Sequence, residues 1–138
     1  MLFEPLTLRS VTLPHRGWVS PMCQYSCDAV HAPGVPNDWH LVHLGSFATG
    51  GAALIIAEST AVNPEGRISP QDTGLWNDAQ AEAWQRITHF VHEHSHDTKI
   101  GVQIGHAGRK GCTYAPTTGP DGPVPVAEGG WQTLAATD

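Results

Sequence analysis

Basic side chains are scarce in this sequence. Seven Lys and Arg stand against thirteen Asp and Glu, leaving a net charge of −6 over 138 residues. That balance argues against a surface made for nucleic acid or anionic membrane. No apolar run approaches the length of a membrane span, and the N-terminus lacks the basic-then-apolar pattern of a secretory leader. The cysteines, Cys23, Cys27 and Cys112, are odd in number and lack zinc-ribbon spacing, which points to a reduced, cytoplasmic setting. There is no internal repeat, and low-complexity character is confined to the Pro/Gly-rich stretch from Thr117 to Gly130. What is present is an ordinary globular composition, long enough for one domain with a core of its own.

Taken in order, Leu6 and Leu8 alternate with polar residues, Arg9-Ser10 turns the chain, and Val11 and Leu13 return, which reads as a hairpin. Trp18, Val19 and the run to Met22 predict a first strand, followed by a loop to Pro36. Asn37 or Asp38 caps a predicted helix with apolar positions Trp39, Val42, Leu44 and Phe47, closed by Gly50-Gly51. Ala52 to Ala57 is a continuous apolar run, as in a parallel strand buried on both faces, with Glu58 ending it. A second helix is predicted from Asn77 or Asp78 to His96, with Ala83, Trp84, Ile87, Phe90 and Val91 at spacings of three and four. Lys99 to Ile104 is the third strand. Strands alternating with crossover helices predict a parallel α/β fold, and residues 105–138 carry no convincing element.

The third strand is where the chemistry gathers, because a parallel sheet holds its strand ends rigidly. Gln103 is an amide inside an apolar strand, and it must find hydrogen-bond partners or cost about 1–3 kcal/mol. It reads either as a core Gln paired to neighbouring backbone or as a Gln that reads the polar edge of a planar ligand. His106, Arg109 and Lys110 follow it. On spacing alone Cys23 can equally be a buried structural thiol, and Tyr25 a core or loop residue. His89, His92 and His96 share a helix face but have no carboxylate or Cys placed to complete a metal site, so no metal is predicted. His40 and His43 lack the Glu of a zinc protease motif and read as capping and packing residues.

Three motifs stand at three consecutive strand ends: Ser20-Pro21-Met22-Cys23-Gln24-Tyr25, then Glu58 through Asn63-Pro64-Glu65-Gly66-Arg67, then Gln103-Ile104-Gly105-His106-Ala107-Gly108-Arg109-Lys110. With the opening Leu2-Phe3-Glu4-Pro5 and with Trp39-His40, they resemble the Old Yellow Enzyme family of FMN-dependent ene-reductases. Within that family they are most similar to the cysteine-containing bacterial branch that includes xenobiotic reductases. The resemblance runs nearly the whole length, with one departure: His15-Arg16 stands where the family usually has Asn-Arg.

The resemblance implies a TIM (β/α)8 barrel, with residues 1–138 as the N-terminal portion of a single FMN-binding domain. They would supply the hairpin and the first three barrel strands with the two helices between them. A barrel needs about 250 residues, so the expectation is that a second, complementary C-terminal polypeptide completes it and that this chain alone is inactive. The implied activity is an NAD(P)H oxidoreductase, with NADPH or NADH as hydride donor and a small-molecule activated alkene such as an enone as substrate. Pro21 and Met22 would pass backbone beneath the flavin ring, and Cys23 would bring its sulfur to the flavin edge and adjust its potential. Ser59 would offer its backbone N–H, and Gln103 would pair with the pyrimidine edge. Tyr25 would line the substrate pocket with its phenol turned to a carbonyl oxygen, with Lys110 nearby and Arg109 less directly involved. His106 would hold the loop. Homodimerisation is common among such barrels. Two other classes stay open: a flavin-free fragment or interaction module, and a dienoyl-CoA-reductase-type flavin barrel.

Overall fold

The computed structural model describes residues 1–95, 97–116 and 119–135. Its strands form two sheets. β1 (Leu6–Leu8) and β2 (Val11–Leu13) make the predicted hairpin, with Thr7 opposite Thr12 and their hydroxyls 3.1 Å apart. The second sheet is parallel, in the order β3 (Trp18–Val19), β4 (Leu54–Ala61), β5 (Lys99–Gly105). Helix α1 (Asp38–Thr49) links β3 to β4, and α2 (Asp78–His94) links β4 to β5.

Both helices start on the same device. The Asn37 side chain accepts a backbone N–H of the first turn while His40 reaches back to the Asn37 N–H. Asn77 and Gln80 repeat the arrangement on α2, each box occupying two of the donors a helix start leaves free. Leu44 and Ala48 of α1, Ile55 and Ala57 of β4, and Trp84, Ile87 and Val91 of α2 make one core, joined from the strands by Val19, Ile100 and Val102. The two helices meet at Gly45, where a Cβ would lie 2.7 Å from the Phe90 ring.

Several predicted boundaries move. The run from Trp18 to Met22 pairs only at Trp18 and Val19, because Pro21 has no N–H to give a ladder. The strand predicted to stop at Glu58 runs through it to Ala61. Trp39 and Val42, placed by spacing on the buried face of the first helix, are 55% and 67% exposed. The face that packs is His40, Leu44, Gly45 and Ala48, because small residues let α2 approach. Trp39 instead donates its indole N–H to Gln24 Oε1 at 3.0 Å and stacks on His43. Helix α2 ends at His94. His96, with Thr117 and Asp138, lies outside the described residues.

Among the described residues after β5 the chain is irregular apart from single 3-10 turns at Gly108–Lys110 and Val126–Glu128 and one bridge between Thr113 and Pro123. Among the described residues no helix is long and apolar enough to cross a membrane. Helices cover one face of the parallel sheet, and among the described residues no strand pairs with the outer edge of β3 or β5.

Candidate active site

The C-terminal ends of β3, β4 and β5 converge, and a bulge in β4 decides what they present. Ile55 and Ala57 pack toward the helices, so Ile56 faces the bare side of the sheet opposite Gly101. Strict alternation would then send Glu58 to the bare face and Ser59 to the helices. A register shift between Ala57 and Ser59 reverses this and sets Ser59 opposite Gln103, the effect of one extra residue in the strand. Ser59 Oγ points along the bare face toward Gly105, where a Cβ would lie 3.3 Å away. Glu58 is buried instead. One carboxylate oxygen accepts the Gln24 N–H at 2.9 Å, and the other lies 3.3 Å from His40 Nε2.

The segment after β3 has no ladder, and side chains hold it in place of one. The Gln24 amide nitrogen donates to Met22 O at 2.8 Å, Ser26 Oγ donates to Gln24 O at 2.8 Å, and Asn37 Nδ2 donates to Ser26 O at 2.6 Å. The Cys27 N–H donates to Gln71 O at 3.0 Å. Within this frame Tyr25 takes φ 51°, a left-handed conformation that costs a non-glycine residue about 1–2 kcal/mol and persists only where neighbours fix it. Met22 is exposed and Pro21 half-buried at the end of β3.

Cys23, Tyr25 and Ser59 come together here. The Ser59 backbone N–H and the Tyr25 hydroxyl both lie near enough to the Cys23 sulfur to favour its thiolate form. Burial pushes the Cys23 thiol up, with the nearby Asp72 carboxylate adding to the shift and the Ser59 N–H and Tyr25 hydroxyl opposing it. Burial likewise raises the Tyr25 phenol, reinforced by Cys23. Cys27, deeper and beside Glu58, is pushed up to about 12, chiefly by burial. Cys23 is therefore a half-buried thiol held in its neutral form chiefly by burial, which is a group able to touch a ligand edge without being a strong nucleophile.

The loop between β4 and α2 backs this cluster. Thr60 and Thr73 join their hydroxyls at 2.9 Å, and Asp72 accepts the Ile68 N–H at 2.8 Å and the Ser69 hydroxyl at 2.9 Å. The Arg67 guanidinium lies over the rings of Trp76 and Trp131, 5.5 and 4.8 Å from their centres, and donates to Pro64 O and Pro70 O. Trp131 donates its own indole N–H to Glu65 O at 3.0 Å and its backbone N–H to Cys112 Sγ at 3.0 Å. Arg67 thus ties this loop to the chain beyond β5.

Beyond β5, His106 Nδ1 accepts the Gly108 N–H at 3.0 Å and so fixes the turn there. Arg109 and Lys110 are exposed in that turn and border a surface cleft with His106, Gly108, Leu134 and Ala135. No contact joins Lys110 to Cys23, Tyr25 or Ser59 among the described residues. Gln103 does not behave as a core amide: it is exposed on the bare face, and its side chain has no hydrogen-bond partner among the described residues. A primary amide held open on a strand beside Ser59 matches the alternating carbonyl and N–H edge of a flavin pyrimidine ring. The donor set therefore fits FMN. Glu58, His40, Asp72, Arg67 and Gln24 escaped the sequence reading of the site. The available signals were a carboxylate set in an apolar run and a His three residues past a helix cap.

Comparison with known proteins follows the same line. Residues 1–134 match the model of the NADH:flavin oxidoreductase / NADH oxidase family. The chain is 45% identical over 130 residues to an NADH:flavin oxidoreductase of Gibberella zeae, covering 94% of this chain and 30% of that protein. It is 46% identical over 110 residues to an NADPH dehydrogenase of a Geobacillus species, covering 80% of this chain and 31% of the relative. Among solved structures, morphinone reductase in complex with tetrahydroNAD superposes with a TM-score of 0.68 at 32% identity, covering 80% of this chain and 28% of that one. The old yellow enzyme from Trypanosoma cruzi superposes with a TM-score of 0.69 at 32% identity, with the same coverage of 80% and 28%. The chain thus spans about 30% of the length of the curated relatives it matches.

Proposed function

Because the chain belongs to the NADH:flavin oxidoreductase / NADH oxidase family, whose cofactors are FMN and NAD(P)H, we propose that it forms the first three strand ends of a single FMN-binding barrel that reduces activated alkenes. The bare inner face of the parallel sheet, and its edges unpaired among the described residues, support completion by further strands, on the same polypeptide or a second one. FMN, when bound, supplies hydride exchange between NAD(P)H and the C=C bond of a substrate such as an enone. This chain's residues bind and orient. Gln103 would hold the pyrimidine edge by its amide, the Pro21–Met22 backbone would pass beneath the ring, and the Ser59 N–H and Cys23 thiol would meet the flavin beside it. Tyr25 donates its phenol to the carbonyl oxygen of the substrate, and Lys110 lines the outer pocket. The three cysteines are free thiols, which suits a reducing, cytoplasmic setting.

The unpartnered Gln103 amide beside Ser59 carries this reading. The test is to purify the protein, denature it and analyse the supernatant for FMN and the pellet for polypeptides by mass spectrometry. Stoichiometric FMN and NADPH oxidation on adding an enone are expected. Gln103→Leu should weaken FMN binding about tenfold, the worth of one or two hydrogen bonds. Protein that neither carries nor takes up FMN would defeat the proposal.

A further inference from the structure

We propose that Glu58, backed by His40, is a positioning residue that fixes Cys23 and Tyr25 against the strand ends. The inference rests on the flavin reading for what those two residues face, and on contacts within the chain for how they are held. Gln24 lies between them, and the Glu58 carboxylate accepts its backbone N–H at 2.9 Å. Among the described residues that is the one link joining the Cys23–Tyr25 turn to β4 through a charged group. The bulge that turns Ser59 to the bare face is what sends Glu58 to this place, so one backbone irregularity sets both the Ser59 N–H and the anchor of the opposing turn.

The pair is built to keep the carboxylate still. His40 Nδ1 lies 3.1 Å from the Asn37 nitrogen and 3.0 Å from Asn37 Oδ1, which turns the other ring nitrogen, Nε2, toward Glu58. That nitrogen is buried 3.3 Å from Glu58 Oε1, close but off the line of a hydrogen bond. Glu58 and His40 side chains are 3% and 1% exposed. A carboxylate presents an oxygen to each of two N–H groups. An amide has a single acceptor oxygen, so whichever N–H it serves, the other faces its NH2 group. The charged and titratable groups around the turn are Glu58 and Asp72 toward Cys23 and Tyr25, with His43 beyond His40 on α1.

The test uses Glu58→Gln in the full-length protein as purified. Two readouts are needed: the pH profile of Cys23 alkylation, followed by peptide mass spectrometry, and hydrogen exchange at the Gln24 amide. The expected result is an alkylation midpoint moved to lower pH, since a negative charge near the thiol is lost, and Gln24 exchange faster by about tenfold, as one charge-assisted hydrogen bond is removed. A folded variant in which neither readout moves would overturn the positioning role. If the variant does not fold, the parent still decides: a Gln24 amide exchanging as fast as an unstructured chain overturns the role, and a protected one supports it. Neither readout requires flavin. A shift in protein that takes no FMN defeats only the functional reading, whereas FMN-bound protein without a shift defeats only this one.

Discussion

Asp72 shows how much of this site is built from single side chains in unfavourable surroundings. It is 1% exposed, accepts two hydrogen bonds from Ile68 and Ser69, and lies close enough to Cys23 to raise that thiol. Burial pushes its own carboxyl above the ordinary range in spite of those hydrogen bonds. The folded protein therefore holds the Asp72 proton more tightly than the unfolded chain does. The group's contribution to stability is complete at pH below the unfolded carboxyl's titration and declines as pH rises through the folded value. Asp72→Asn removes that slope, so urea titrations across the acid range should show the variant gaining on the parent as pH rises. Asp72→Ala removes the same slope and also leaves the half-buried Ile68 N–H without its partner, which should cost about 1–3 kcal/mol more than Asp72→Asn. A parent-minus-Asn difference that stays flat with pH would show that the carboxyl is not the titrating group.

At the scale of elements, each helix is seated by its start. Gln80 is 0% exposed. Its amide oxygen accepts the N–H groups of Trp76 at 2.7 Å and Asn77 at 3.2 Å, and its amide nitrogen donates to Pro33 O at 3.0 Å. It thus caps α2 and clips the loop before α1 to it. That loop passes at Gly34, where φ is +74° and a Cβ would lie 2.5 Å from the Trp76 ring, so only glycine passes there without strain. Gln80→Ala should lower stability by about 2–3 kcal/mol through the abandoned backbone donors, and Gln80→Glu by at least as much, since it keeps both acceptor contacts but buries a carboxylate with one oxygen against Pro33 O. Thermal unfolding of the two variants checks the order. The sequence made the caps legible because Asn37 and Asn77 act within one turn. It also made Gln103 legible, as an amide out of place in an apolar strand. The bulge at Glu58 was not legible, since it exists only in the register against β5, and Glu58 read as a terminator. Arg67 and Trp131 meet across a loop that no local pattern predicts. The meeting of Cys23, Tyr25 and Ser59 was expected from motif resemblance, because nothing in their spacing brings them together.

For the molecule as a whole, the core lies on the helix side of the parallel sheet, and the rest of the sheet is unprotected. Among the described residues β5 has no strand on its outer edge, and Lys-Ile-Gly-Val-Gln-Ile-Gly contains no proline and a single charge. Ile104 sits near its end, 60% exposed, on the face that Ile100 and Val102 turn toward the core. An edge of this kind invites pairing with another chain. Ile104→Lys therefore has opposite consequences in two settings. In a preparation of residues 1–138 alone it should raise the monomer fraction in size-exclusion chromatography, since a charge on an open edge opposes strand addition and the side chain loses little packing. In the barrel proposed above the same position would lie beneath the next helix. The substitution should then destabilise the protein by about 2–4 kcal/mol, through lost burial and a charge moved out of water. Should Ile104→Lys leave the complete protein's stability unchanged, no helix covers that face and the barrel reading of the sheet fails. A destabilised complete protein beside a more soluble short chain would mean that the exposed edge is the seam where the remaining strands join.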